Sequence, residues 1–151
     1  MDLPTVIATH ITELIRTHAH ELLGRQEASQ LVENFKKTHP KVVEDLIPDA
    51  LSLGGVVKVL QNLLKEQVSI RDVLTIFETL ADEAARTKDL DLLTESVRKQ
   101  LSRSITAKYT SEDGAVTVMT FDSKLEELVA NALLQTEQGV QLVMDPQSAS
   151  K

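Results

Sequence analysis

The stretch GVVKVLQNLLKEQVSIRDVLTIFETLADEA, residues 55–84, decides the fold. It reads as two amphipathic helices joined by a very short turn. In the first, Val56, Leu60, Leu63 and Leu64 fall on one face, and Val57 and Val59 widen the stripe. In the second, Ile70, Val73, Leu74, Phe77, Leu80, Ala81 and Ala84 recur at helical spacing. The junction predicts its own helix start. Ser69 stands at the N-cap, Asp72 three residues on completes a capping box, and Val68 with Val73 forms a hydrophobic staple.

A chain of 151 residues suits one medium domain or two small ones sharing a core. At that size roughly 70% of the unfolded surface can be buried, so neither a metal nor a disulfide is needed to hold the fold. Cysteine is absent, which excludes disulfides and thiolate metal sites and points to a reducing compartment. No run approaches the roughly 20 apolar residues of a membrane-spanning helix, and no secretory signal pattern opens the chain. The sequence therefore predicts a soluble piece. The net charge is −7, from 23 acids against 16 bases, and neither half is basic. With no Trp and few aromatics, nucleic acid and anionic membrane are poor partners.

Upstream of the central pair, residues 5–23 predict a helix with Ile7, Ile11, Leu14, Ile15, Ala19, Leu22 and Leu23 on its inner face and Gly24 as its C-terminal cap. A second helix from about Glu27 to Thr38 turns Ala28, Leu31, Val32 and Phe35 inward and stops before Pro40. A short third one, Val42 to Ile47, ends at Pro48. Downstream, Asp89 or Asp91 caps a helix that runs to about Ser104, with Leu93, Val97 and Leu101 inward and Arg98, Lys99 and Arg103 near its negative end.

After Ile105 the pattern changes. Ile105–Thr110 and Ala115–Phe121 alternate and flank Ser111-Glu112-Asp113-Gly114, which predicts a β-hairpin. A helix follows, capped by Ser123 with Glu126 three residues on, its inner face Leu125, Leu128, Val129, Ala132 and Leu133. Gly139 then leads into a short strand, Val140–Met144. Asp145-Pro146 is a helix start with almost no helix after it, which suggests a piece of a longer protein.

Catalytic and metal signatures are missing from the pattern. His10, His18 and His20 share the first helix, but no two stand four apart, and His39 precedes Pro40. Glu78, Asp82 and Glu83 sit on a helix face best read as solvated. There is no GxSxG, no Walker loop and no dinucleotide glycine pattern, and Gly54-Gly55 serves a turn and close packing. The rival reading is a helix-turn-helix DNA-binding regulator. Its reader helix would offer one base, Arg71, against Asp72, Glu78, Asp82 and Glu83, the wrong balance for phosphates. The pair is better read as the core of a winged-helix-like arrangement.

Several linked strings carry a resemblance. They are His18-Ala19-His20-Glu21-Leu22-Leu23-Gly24-Arg25-Gln26-Glu27, Leu60-Gln61-Asn62-Leu63-Leu64, Val68-Ser69-Ile70-Arg71-Asp72, Glu78-Thr79-Leu80-Ala81, Thr87-Lys88-Asp89, and Leu92-Leu93-Thr94-Glu95-Ser96-Val97-Arg98. In order and spacing they resemble the flagellar and type III secretion export-pore family (FHIPEP), and the first string is similar to its flagellar branch. Ala85 departs from the family, where proline is frequent.

The resemblance implies an α+β, mostly α chain. Residues 1–104 would be a helical, winged-helix-like subdomain with its leading helix, and 105–151 an incomplete α/β subdomain. It implies no enzymatic activity and no cofactor. It also implies a place on the cytoplasmic side of the bacterial inner membrane, as part of a membrane-embedded parent. The implied partners are export chaperone–substrate complexes, components of the ATPase complex, and other copies in a ring. The unpaired edge of an incomplete sheet offers a further means of self-association. Among the shared strings, Arg25, Gln26 and Arg71 are the candidate partner contacts, each also explicable by capping or intramolecular ion pairing.

Overall fold

Apolar residues at helical spacing become eight helices in the computed structural model, which describes residues 2–136 and 139–143. The chain divides into two units, Met1–Thr110 and Ser111–Lys151. In the first unit the order is α1 (Leu3–Leu22), α2 (Arg25–Lys36), α3 (Pro40–Leu46), α4 (Leu53–Lys65), α5 (Val73–Glu83), α6 (Leu90–Gln100) and α7 (Ser102–Tyr109).

The core of this unit is built on α4. Val56, Val59, Leu60 and Leu63 are completely buried. At about 1.5–3 kcal/mol for each large side chain removed from water, this one helix supplies a large share of the unit's hydrophobic stabilisation. Ile76, Phe77 and Leu80 of α5, Leu93 and Val97 of α6, and Val43 and Leu46 of α3 close around it. Phe77 meets Phe35 of α2 edge to face, with ring centroids 5.3 Å apart, and Phe35 in turn stacks on His39 at 4.5 Å. Ser52 caps α4, its hydroxyl accepting from the Gly55 amide at 3.1 Å. Of the two candidate caps for α6, Asp89 takes the position, accepting from the Asp91 and Leu92 amides at 2.8 and 3.1 Å.

The C-terminus of α4 is a Schellman motif. The Val68 amide donates to the Leu63 carbonyl and the Gln67 amide to that of Leu64, each at 2.9 Å. Its left-handed residue is Gln67, at φ 58°, where glycine is usual.

The junction between α4 and α5 corrects the expected helix start. Helix α5 begins at Val73, and its N-cap is Asp72. The Asp72 carboxylate accepts from the Thr75 amide at 3.1 Å and from the Thr75 hydroxyl at 2.8 Å. Ser69 Oγ accepts only a long 3.4 Å bond from the Arg71 amide. A carboxylate facing two donors outcompetes a hydroxyl facing one. Val68 is held by the Schellman motif and Ile70 packs against the core, so residues 66–72 form a longer connection than a tight turn.

Three further corrections concern this unit. Gly24 is extended, at φ −92° and ψ −173°, so it does not end α1 in a left-handed cap. It begins α2 instead, its amide donating to the Glu27 carboxylate at 3.0 Å. The apolar stripe of α1 is not buried within the described residues: Ile7, Ile11, Leu14 and Ile15 are about half exposed and Leu22 is 62% exposed. Helix α1 is nonetheless tied to α4, because the Gln61 side-chain amide donates to the Leu23 carbonyl at 2.8 Å.

The third correction removes the hairpin. Ile105–Thr110 lies largely in α7 and Ala115–Phe121 forms no strand. Ile105 stands four residues after buried Leu101, its amide donates to the Leu101 carbonyl at 3.0 Å, and its side chain joins the core. Packing thus outweighs the alternating pattern. The turn between the two expected strands does form. Gly114 has φ +81°, and the Ser111 amide donates to the Ala115 carbonyl at 2.9 Å.

The second unit contains α8 (Ser123–Ala132) and two strands, β1 (Leu133–Thr136) and β2 (Gly139–Leu142). The strands pair antiparallel, Leu133 opposite Leu142 and Thr136 opposite Gly139. Asp122, rather than Ser123, caps α8, accepting from the Lys124 amide at 2.9 Å. Leu133 begins the strand instead of ending the helix. Met144 and the Asp145-Pro146 start lie outside the described residues. Of the described helices none is long and apolar enough to cross a membrane.

Candidate docking site

The three residues singled out for partner contact do not converge. Arg25 and Gln26 are the first two residues of α2, both exposed. Arg25 reaches the start of α4: a Cβ placed on Gly54 would lie 3.6 Å from an Arg25 guanidinium nitrogen. Arg71 lies beyond the other end of α4, in the connection to α5 and not in that helix's first turn. Thirteen helical residues, about 20 Å, separate those two ends.

Arg71 opens onto a cleft of about 600 Å³ within the first unit. Its walls are the second half of α1, the end of α4 with the following turn, and α7. The floor is apolar, made by Leu64, Val68 and Ile105, each half-buried. The exposed ring of Tyr109 extends that surface outward.

The rim carries Arg16, Arg71 and Lys108, and no Asp or Glu is among the lining residues described. Arg71 forms no salt bridge among the described residues. Arg16 lies 3.6 Å from Glu13 on an exposed face, a pair worth little in water. Lys108 donates to the Gln67 carbonyl at 3.2 Å, tying α7 to the left-handed residue of the α4 turn. An apolar floor with a cationic rim suits recognition of a side chain together with nearby negative charge.

On the opposite flank of α4, Arg98 of α6 pairs with Glu66 at 2.7 Å and also with Glu95. Asn62 donates to Thr94 Oγ1 at 3.2 Å. These contacts hold α4 and α6 in register and engage their own polar groups. Among the described residues no three His, Asp or Glu side chains gather as a metal site would require. His18 is engaged by Glu21, 2.9 Å away, and this neighbour holds the Glu21 carboxyl below the usual carboxylate range.

Of the cleft residues, only Arg71 is among the candidate contacts named from the sequence. Lys108 and Tyr109 sat in a stretch that reads as a strand, and Arg16 on a helix whose apolar stripe draws the eye.

Comparison with known structures defines the class. Over 99% of its length the chain superposes on 44% of a chain in the structure of the Chlamydia pneumoniae CdsV and CdsO protein complex, with a TM-score of 0.85 and 31% identity. It also matches the nonameric EscV cytosolic domain from the type III secretion system, with a TM-score of 0.77 and 33% identity over 93% of this chain and 42% of that one. The fold is that of the cytosolic domains of type III secretion proteins.

Sequence narrows this further. The chain belongs to the FHIPEP family, whose pattern it matches over residues 1–151. The flagellar biosynthesis protein FlhA of Bacillus subtilis is 47% identical over 146 residues, covering 97% of this chain and 22% of that protein. FlhA of Escherichia coli is 46% identical over 129 residues, covering 85% of this chain and 19% of that protein. The chain therefore spans about a fifth of the length of the curated relatives it matches.

Proposed function

We propose that this chain is a docking and assembly part of the flagellar type III protein export gate, on the cytoplasmic side of the bacterial inner membrane. It binds export chaperone–substrate complexes and export-apparatus components, and it packs beside other copies in a ring. It catalyses no reaction of its own. The first unit acts as a helical, winged-helix-like body and the second as part of an α/β subdomain.

The observation that carries the reading is the likeness to flagellar FlhA, 47% identical over 97% of the chain. Nonameric relatives support the ring, and a relative in complex with CdsO supports a second protein as partner. The half-exposed apolar stripe of α1 supports assembly, since isolated soluble proteins rarely leave such contiguous surface open.

The test is a pull-down with purified flagellar chaperone–substrate complexes, comparing this chain with one extended at both ends. Retention by either form is the expected result. Binding by the extended form alone makes this stretch a scaffold for a groove completed elsewhere. Binding by neither overturns the docking reading.

A further inference from the structure

The cleft between α1, the α4 turn and α7 carries an inference about what occupies it. This inference rests on the docking reading above and specifies the chemistry of one partner. In a chain whose acids outnumber its bases 23 to 16, all three charged side chains lining the cleft are basic: Arg16, Arg71 and Lys108. Beneath them lies half-buried aliphatic surface from Leu64, Val68 and Ile105, open to solvent and large enough for one big side chain.

The backbone below argues against a buried phosphate or nucleotide. The end of α4 facing the cleft is its C-terminus, whose carbonyl dipoles repel an anion set deep in the floor. Negative charge is favoured only at the rim, while the floor takes an apolar group. Gln67 adds a second observation. It holds a left-handed conformation that glycine would adopt at lower cost, and its carbonyl positions Lys108.

We propose that the cleft docks an extended acidic peptide segment of a partner protein. One large apolar side chain of the segment enters between Leu64, Val68 and Ile105, and flanking Asp or Glu residues meet Arg16, Arg71 and Lys108. The rim charges select and orient the segment, and the floor supplies the burial.

The test uses the whole chain with three fluorescein-labelled synthetic peptides at 100 mM salt, read by anisotropy. The first is Glu-Asp-Gly-Leu-Gly-Asp-Glu, the second has Ser in place of Leu, and the third has Lys in place of every acid. The first peptide binds, and the other two bind at least about fivefold more weakly. R71E and K108E each weaken the first peptide by about fivefold or more. R86E, the same charge change beyond the far end of α5 and so separated from Arg71 by about 16 Å of helix, leaves binding within about twofold, since that distance exceeds the roughly 10 Å screening length. All three positions are exposed, and circular dichroism checks that each variant is folded.

Equal binding of the acidic and basic peptides overturns the proposal, as does indifference to R71E and K108E. If no peptide binds and R71E instead abolishes self-association in sedimentation, the occupant is a second copy and the proposal also falls. Failure here with a successful pull-down removes the cleft and leaves the docking function standing. Peptide binding without any pull-down does the reverse.

Discussion

Replacing Asp72 by Ala tests how the central helix pair is held. Its carboxylate accepts both the amide and the hydroxyl of Thr75, at 3.1 and 2.8 Å. Loss of an N-cap acceptor costs about 1 kcal/mol. Loss of a negative charge at a helix start adds about 0.3–1 kcal/mol, so the total is about 1.3–2 kcal/mol. For a unit of this size that lowers the midpoint of thermal unfolding by about 5–10 °C. Ser69→Ala deletes only the 3.4 Å contact with the Arg71 amide on an exposed connection, and its cost is below about 0.5 kcal/mol. Asp72→Asn keeps an acceptor without the charge and falls between the two. The assay is urea unfolding followed by far-ultraviolet circular dichroism, with amide exchange at Thr75 as the local readout. Exchange there accelerates in Asp72→Ala and not in Ser69→Ala. Equal or greater destabilisation by Ser69→Ala would refute the assignment of the cap and restore the longer helix read from the sequence.

Further outcomes follow from single residues. Gln67→Gly relieves a left-handed residue worth about 1–2 kcal/mol and surrenders about 0.5–1 kcal/mol of chain entropy, so it stabilises by about 0.5 kcal/mol, seen as a raised urea midpoint with unchanged slope. Gly55→Ala is the opposite case. Its Cβ would stand 2.8 Å from the Cγ and Cδ1 of buried Leu51, and the displaced packing costs about 1–3 kcal/mol in the same assay. In the second unit, the Ser111 hydroxyl and Ala115 amide hold the Asp113 carboxyl below its ordinary range. A depressed carboxyl stabilises the turn above its unfolded pKa of about 3.9 and loses that contribution as pH falls through the lower folded value. The Gly114 and Ala115 amide resonances should therefore stay unperturbed down to about pH 4 and move only in more acidic solution.

Much of the helical core was determined by the sequence alone, because a 3.6-residue period is a local property that survives in the folded state. Val56, Leu60, Leu63, Phe77, Leu80, Leu93 and Val97 all read as inward and are all buried. The Asp89 cap and the turn at Gly114 were equally local and equally legible. Tertiary structure decided the rest. Whether Ser69 or Asp72 starts α5 depended on where Val68 and Ile70 meet the core, a contact no window of sequence contains. Whether Ile105–Thr110 was strand or helix depended on Ile105 reaching the surface around Leu101. The stripe of α1 reads as core in sequence, yet most of it finds no cover among the described residues. The cleft around Arg71 is the fullest case. Its charges come from positions 16, 71 and 108, which only the packing of α1, α4 and α7 brings to one rim. A periodic pattern states that a face is apolar, and only the fold states what that face meets.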